Sequence, residues 1–470
     1  MLYFSTNHTA ARATLRDAVV RGLAEDRGLY MPEVIKHLPD AFWDEMCNLS
    51  FQEVAYRVAD AFFGDDVEAD ALRNIVFDTL AFDCPTVQVE PNIFALELFH
   101  GPTLAFKDVG ARFMARLLQH FIKADKLTSG QADASATVNV LVATSGDTGS
   151  AVANGFLGVK GIHVYVLYPK GKVSPIQECQ FTTLGQNITA IEVDGVFDDC
   201  QALVKSAFMD KELNAHMRLT SANSINVARF LPQAFYYFWA YAQLRRQGVV
   251  SSNTAESNLV VCVPSGNFGN ICSALFGHAM GLPVKHFIAA NNANSVFYEY
   301  LRDGQYRPRP SVQTIANAMD VGAPSNFARI TDLYARSVAA ATASADDVIA
   351  AIPQTNPEAV HAAITALITG ATYTDSQIAD TMRDCHARTG YVLDPHGACG
   401  YRALKEQLRP GEVGVFLETA HPAKFKDTVD AILGIDLPIP EKLQAFMRGE
   451  KKSVHMSRDF ADFKAHLLNL

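Results

Sequence analysis

Five short apolar runs punctuate the middle of the chain, at residues 138–143, 162–167, 188–193, 259–263 and 284–289. Those at 138–143 and 259–263 are apolar at nearly every position, the pattern of strands covered on two sides. Between them the apolar spacing changes to three and four residues. That spacing predicts helices starting at 150–157, over 197–209, from 225 to 246, and onward to Met280. A further strand-like run follows at 413–417. The alternation predicts an α/β fold of parallel sheets covered by helices.

The ends and one internal segment depart from this rhythm. Residues 1–93 read as a mainly helical domain, with a β-prone start at 1–4 and helical spacing over 14–23, 51–63 and 67–80. An apolar strand at 94–98 leads into the central segment. Residues 306–390 open with Arg307-Pro308-Arg309-Pro310 and continue in Ala-rich stretches, read here as a helical insertion. The expected organisation is an N-terminal domain over 1–93, a smaller α/β domain over 94–225, a larger α/β domain over 226–440 that includes the insertion, and a helical tail over 441–470. At 470 residues the chain exceeds one ordinary core, and about three domains is the length expectation.

Composition removes several classes of function. Hydrophobic residues make up 49% and charged residues 19%, an ordinary globular balance, with a net charge of −10. Lys and Arg form no stripe, so no nucleic-acid partner is expected. An anionic ligand must then be held by local groups rather than by the overall field. None of the eight cysteines forms a C-x-x-C pair or lies near histidines at zinc-site spacing, so no metal is expected. A reducing cytoplasm fits that cysteine usage. Residues 1–13 contain no unbroken apolar core of a secretory signal. No run approaches the ~20 apolar residues of a bilayer span, so no membrane association is expected.

The candidate chemistry centres on His100-Gly101-Pro102-Thr103-Leu104-Ala105-Phe106-Lys107-Asp108. A Gly-Pro turn leads to Lys107, which opens an amphipathic helix carrying Asp108 in its first turn. The positive helix end disfavours a second charge, so the amine loses its proton more readily. A neutral lysine amine is the form that attacks carbonyl carbons. On spacing alone the favoured reading of Lys107 is a solvated lysine at a helix start, because such lysines are common.

Two glycine turns change that balance. Thr144-Ser145-Gly146-Asp147-Thr148-Gly149 and Pro264-Ser265-Gly266-Asn267-Phe268-Gly269-Asn270 each follow a strand and open a helix. Glycine admits close backbone approach, and the helix start offers unpaired N–H groups, so each turn is a candidate anion cradle. Neither matches a nucleotide-triphosphate loop or a dinucleotide fingerprint. Two cradles suggest two anions, a cofactor phosphate and a substrate carboxylate or phosphate. A lysine nucleophile beside a phosphate cradle suggests pyridoxal phosphate, bound as a Schiff base.

These motifs resemble those of the threonine synthase family. Residues 101–108 look like its cofactor-lysine motif, 145–151 like its substrate loop and 265–270 like its phosphate-binding loop. Asp26-Arg27-Gly28-Leu29-Tyr30-Met31-Pro32, Asn223-Ser224-Ile225-Asn226 and Thr419-Ala420-His421-Pro422-Ala423-Lys424-Phe425 also match. The order of the motifs and the long 306–390 segment place the resemblance with the longer branch of the family.

The resemblance implies a fold-type II pyridoxal-phosphate enzyme, of the tryptophan synthase β-chain group. It implies a lyase that converts O-phospho-L-homoserine and water to L-threonine and phosphate, as a monomer or small homo-oligomer. The alternative is another pyridoxal-phosphate phospho-lyase or a dehydratase acting on a small amino acid.

By the same resemblance, Lys107 holds the cofactor and moves protons. Gly266, Asn267, Phe268, Gly269 and Asn270 hold its phosphate, and Thr419 meets its ring nitrogen. Ser145, Asp147 and Thr148 face the substrate. A carboxylate at 147 beside an anionic substrate leaves its own partner open. Asn226 and Arg229 share one helix face, and Arg229 is either a bidentate phosphate ligand or an ordinary first-turn arginine. Lys424 reads as a surface residue or a phosphate contact.

Overall fold

The computed structural model describes residues 1–129, 137–251, 256–344 and 347–469. Two sheets carry the fold. The larger runs in the order Ile368–Thr372, His286–Asn291, Leu259–Pro264, Val413–Glu418, Ile93–Glu97, Thr86–Glu90. Its first five strands are parallel, and the last pairs antiparallel at the edge. The smaller sheet is parallel throughout, in the order Val454–Met456, Ile188–Val193, Ile162–Pro169, Val138–Ala143, Arg218–Ser221. Leu259–Pro264, Val413–Glu418 and Val138–Ala143 are buried at every residue, which is why they read as mostly apolar runs. A small antiparallel sheet of Ala13–Thr14, Leu2–Ser5 and Tyr30–Pro32 begins the chain.

The sheets divide the chain differently from the sequence-based domains. Ile93–Glu97 registers against Gly414–Glu418, so the segment expected to open the smaller domain lies in the larger sheet. The chain enters the larger sheet, leaves it to build the smaller one, and returns. The C-terminal stretch, expected as a helical tail, contributes a strand to the smaller sheet. The Ala-rich insertion contains the strand Ile368–Thr372 at the larger sheet's far edge.

The helix expected over 225–246 is broken into Val227–Phe230, a 3₁₀ turn at Leu231–Gln233, and Ala234–Arg246. Pro232 explains the break, because it lacks the N–H that a continuous helix needs there. The aromatics Phe230, Phe235, Tyr236, Phe238 and Trp239 are buried core. Trp239 stacks on Phe51 at 5.4 Å between ring centres, docking the N-terminal helix Phe51–Phe63 onto Ala234–Arg246.

Candidate active site

The helix Lys107–Ser129 starts where the segment before it is tied to the end of a larger-sheet strand. Phe106 N–H donates to Thr419 C=O at 2.8 Å, and His421 N–H donates to Leu104 C=O at 3.0 Å. Thr103 donates its N–H and hydroxyl to Asp108, at 2.9 and 2.6 Å. Lys107 thus directly follows the residue bonded to Thr419, which itself follows Val413–Glu418. The pKa of Lys107 is lowered to about 8, chiefly by burial. Asp147 opposes the shift, and the charges of Arg229 and Lys424 reinforce it. The depression anticipated from the helix end therefore has a different main cause: removal from water.

The turn after Leu259–Pro264 leads into the helix Gly269–Ala279. Phe268 caps that helix with φ 62°, a left-handed conformation that turns successive N–H groups to one side. The N–H groups of Gly266, Asn267, Phe268, Gly269 and Asn270 make no hydrogen bond to any described residue. Buried backbone donors are almost always paired, so five unpaired N–H groups in succession, three of them on the buried residues Phe268, Gly269 and Asn270, could together hold an anion. A Cβ on Gly266 would lie 2.8 Å from Ala318 O and 2.9 Å from Met319 Cα, so the turn admits no side chain there. Amide side chains brace the cradle from behind. Asn270 Nδ2 donates to Pro264 C=O at 2.9 Å, and Asn267 Oδ1 accepts from Ser325 N–H at 2.6 Å.

The second turn precedes the helix Asp147–Phe156. Gly146 has φ 143°, a conformation that side chains avoid. Thr144 Oγ1 accepts from Gly146 and Gly149 N–H, at 2.9 and 2.8 Å. The N–H groups of Ser145, Asp147 and Thr148 are left without a partner among the described residues.

One cavity of about 1250 Å³ joins these parts. Lys107, Ser145, Thr148, Arg229, Thr419 and all five residues of the 266–270 cradle line it. Asp147 and Asn226 do not. Asn226 is fully buried and caps Val227–Phe230, accepting from Ala228 N–H at 3.0 Å. Its amide nitrogen donates to Val19 C=O at 2.9 Å. Arg229 donates from Nε to Ala222 C=O at 2.6 Å and from Nη1 to Lys107 C=O at 3.0 Å. Its Nη2 has no partner among the described residues. Burial lowers its pKa to about 10, with Asp108 opposing.

Three supporting groups were not anticipated. Asn326 donates to Ser224 Oγ and Asn267 C=O, both at 3.0 Å. Arg329, fully buried, donates to Tyr30, Ser224 and Ile225 carbonyls and lies 4.0 Å over the Phe230 ring. Both lie in or beside the helix Phe327–Ala340, in the stretch read as an insertion. His396 accepts from Ala318 N–H at 3.1 Å behind Gly266, with Asp394 on its other nitrogen at 2.5 Å. In the sequence, Asp394-Pro395-His396-Gly397 reads only as a turn before a helix. Nothing in the spacing of Asn326 or Arg329 distinguishes them.

The donor set suits an aldehyde cofactor with a phosphate tail: a buried lysine amine that gives up its proton more readily than a free lysine, and a run of unpaired N–H groups, open on one cavity. Residues 75–355 match the family model described as "Pyridoxal-phosphate dependent enzyme", so the molecule is a pyridoxal-phosphate enzyme of fold type II. Residues 2–80 match "Threonine synthase N terminus" and residues 397–467 match "Threonine synthase, C-terminal". The chain belongs to the threonine synthase family.

Threonine synthase from Escherichia coli is 42% identical, covering 100% of this chain and 99% of its own. The Haemophilus influenzae enzyme is 41% identical over 100% of both chains. A crystal structure of pyridoxal-phosphate-bound threonine synthase from Brucella melitensis superposes with a TM-score of 0.87 at 33% identity, covering 100% of this chain and 99% of that one. The fold class, the lyase activity and the cofactor anticipated from the motifs all hold. Among the described residues no helix is long and apolar enough to cross a membrane.

Proposed function

We propose that the cavity takes O-phospho-L-homoserine and water and releases L-threonine and phosphate. The observation that carries this reading is the convergence of Lys107, the orphaned 266–270 cradle and Thr419 on one cavity. When bound, pyridoxal phosphate supplies an electron sink for negative charge developing on the substrate carbons.

The chain's own residues do the rest. Lys107 Nζ would hold the cofactor covalently and, once displaced by the substrate amine, carry protons at the substrate's Cα and Cβ. Its proton is held weakly near neutral pH, as that shuttling requires. The N–H groups of Gly266 through Asn270 would bind the cofactor phosphate. The Thr419 hydroxyl would meet the ring nitrogen, leaving it uncharged where a carboxylate would favour protonation.

Ser145, Thr148 and the free N–H groups of the Asp147 helix would receive the substrate carboxylate. Arg229 Nη2 is available to the departing phosphate, while its other nitrogens stay fixed on backbone carbonyls. Asn226 acts on Arg229 through the short helix that it caps. All eight cysteines are unpaired, which supports the cytoplasm as the site of action.

The test is Lys107→Ala. It should abolish the visible absorption band of the loaded protein and cut threonine formation by at least ~10⁴-fold. Product analysis completes it. Release of 2-oxobutyrate in place of threonine would make the chain an eliminating lyase and overturn the reading.

A further inference from the structure

Lys424 and Asp147 are buried charges, and each is the other's partner. Lys424 is fully buried; its Nζ lies 2.6 Å from Asp147 Oδ1 and donates to Thr103 C=O at 2.8 Å. The same Oδ1 accepts from Gln177 Nε2 at 2.9 Å. The Ser174 hydroxyl donates to Lys424 C=O at 3.2 Å. Lys424 is therefore neither a surface residue nor part of the cavity wall.

The contacts span segments that are distant in the fold. Asp147 opens the substrate-loop helix, on the smaller sheet. Lys424 stands in the turn Pro422–Phe425, just beyond Thr419 on the larger sheet. Thr103 precedes Lys107. Burial alone would raise the Asp147 pKa, but the charges of Lys424 and then Lys107 hold it down at about 2. The carboxylate stays ionised and committed to Lys424, so it presents no free charge to an anionic substrate.

Both charges also act on Lys107. Asp147 favours a proton on its amine, whereas Arg229 and Lys424 disfavour one. The other ionisable neighbours are committed or neutral. Asp108 is held by Thr103, and burial takes His421 down to about 4.

We propose that Lys424 and Asp147 form one positioning unit, a buried clasp that sets the substrate loop against the Thr419 turn beside Lys107. Replacing a buried pair by neutral side chains is often tolerated, but removing one partner is not. The pair therefore makes a closed double-mutant cycle. The inference rests on Lys107 as the cofactor lysine.

The experiment uses the full-length, cofactor-loaded protein with Lys424→Met, Asp147→Asn and the double variant. The pH midpoint of the visible band should move up by about one unit in Lys424→Met and down by about one unit in Asp147→Asn. In the double variant it should lie between those of the two single variants. Each single variant should lose about 100-fold in kcat/KM for O-phospho-L-homoserine, mostly through KM, and the double variant should regain at least about tenfold.

A purely structural pair would lower the melting temperatures of the single variants and leave the midpoint unmoved, which overturns the proposal. Additive losses in the double variant overturn it too. Should Lys424→Met not accumulate as folded protein, Asp147→Asn decides: an unmoved midpoint with unchanged KM sinks the idea. Wild-type protein lacking the band would instead overturn the reading of Lys107 itself.

Discussion

The turns at 264–270 and 144–149 share a backbone plan: a buried parallel strand, a glycine turn, and a helix whose first N–H groups are unpaired. Their bracing differs. At 264–270 the braces are neutral amides, with Asn270 on Pro264 and Asn267 on Ser325. At 144–149 the brace is the ion pair of Asp147 and Lys424. A brace of neutral amides leaves a positive cup made by backbone N–H groups, suited to a permanent anion such as the phosphate proposed for it. A charged brace sets two titratable groups beside Lys107 and couples the geometry of the loop to the proton on that amine. The same strand-turn-helix junction can thus be a static holder or a tuned one, and the side chains behind it decide which.

The comparison breaks most visibly at the ion pair. Lys424→Met should cost about 3–5 kcal/mol of folding stability by urea unfolding, because it strands a buried carboxylate. A loss below ~1 kcal/mol would put that site in contact with water and erase the contrast between the two braces.

The pH response of the cofactor-free protein comes next. The amine of Lys107 has its pKa lowered from 10.5 to about 8 in the fold, so the unfolded chain binds that proton more tightly. This group's penalty is present below about pH 8 and is relieved as pH rises towards its unfolded value. Lys107→Met should therefore be more stable than wild type near neutral pH, and the gap should narrow in alkaline buffer, as followed by chemical unfolding at each pH.

A smaller effect is expected at the neutral turn. Gly266→Ala adds a Cβ 2.8 Å from Ala318 O, and overpacking of this kind costs roughly 1–3 kcal/mol. Cofactor affinity should weaken by roughly 5- to 150-fold in an absorbance titration. The smallest effect is a control. Arg383 pairs with Asp380 at 2.7 Å, nearly the Lys424–Asp147 distance, but their side chains are 54% and 65% exposed. Arg383→Ala should change stability by less than ~1 kcal/mol, showing that burial rather than separation gives the clasp its weight.

Much of this was legible in the sequence where the signal is local. The strands Val138–Ala143 and Ile188–Val193 and the helices Phe51–Phe63 and Phe197–Met209 follow directly from apolar period. The two glycine turns and Lys107 carried the chemistry in their own residues. What stayed hidden was non-local. Ile368–Thr372 sits among Ala-rich helical segments and becomes a strand only because His286–Asn291 offers it an edge. The lysine at 424 has no neighbour in sequence that marks it as buried; its carboxylate partner comes from the other sheet. Arg329 looks like any helical arginine until Tyr30 and Ser224 carbonyls surround it.

The strand Val454–Met456 completes the smaller sheet by pairing with Ile191–Val193, although the rest of that sheet is made from residues 138–221. During synthesis, therefore, the flank of Ile188–Val193 stays open until residues 454–456 have been made. An unpaired strand flank is a template for association with other chains. Nascent molecules, or molecules cleaved before residue 454, should accordingly be the ones that self-associate, while Val454–Met456 seals that flank in the folded protein.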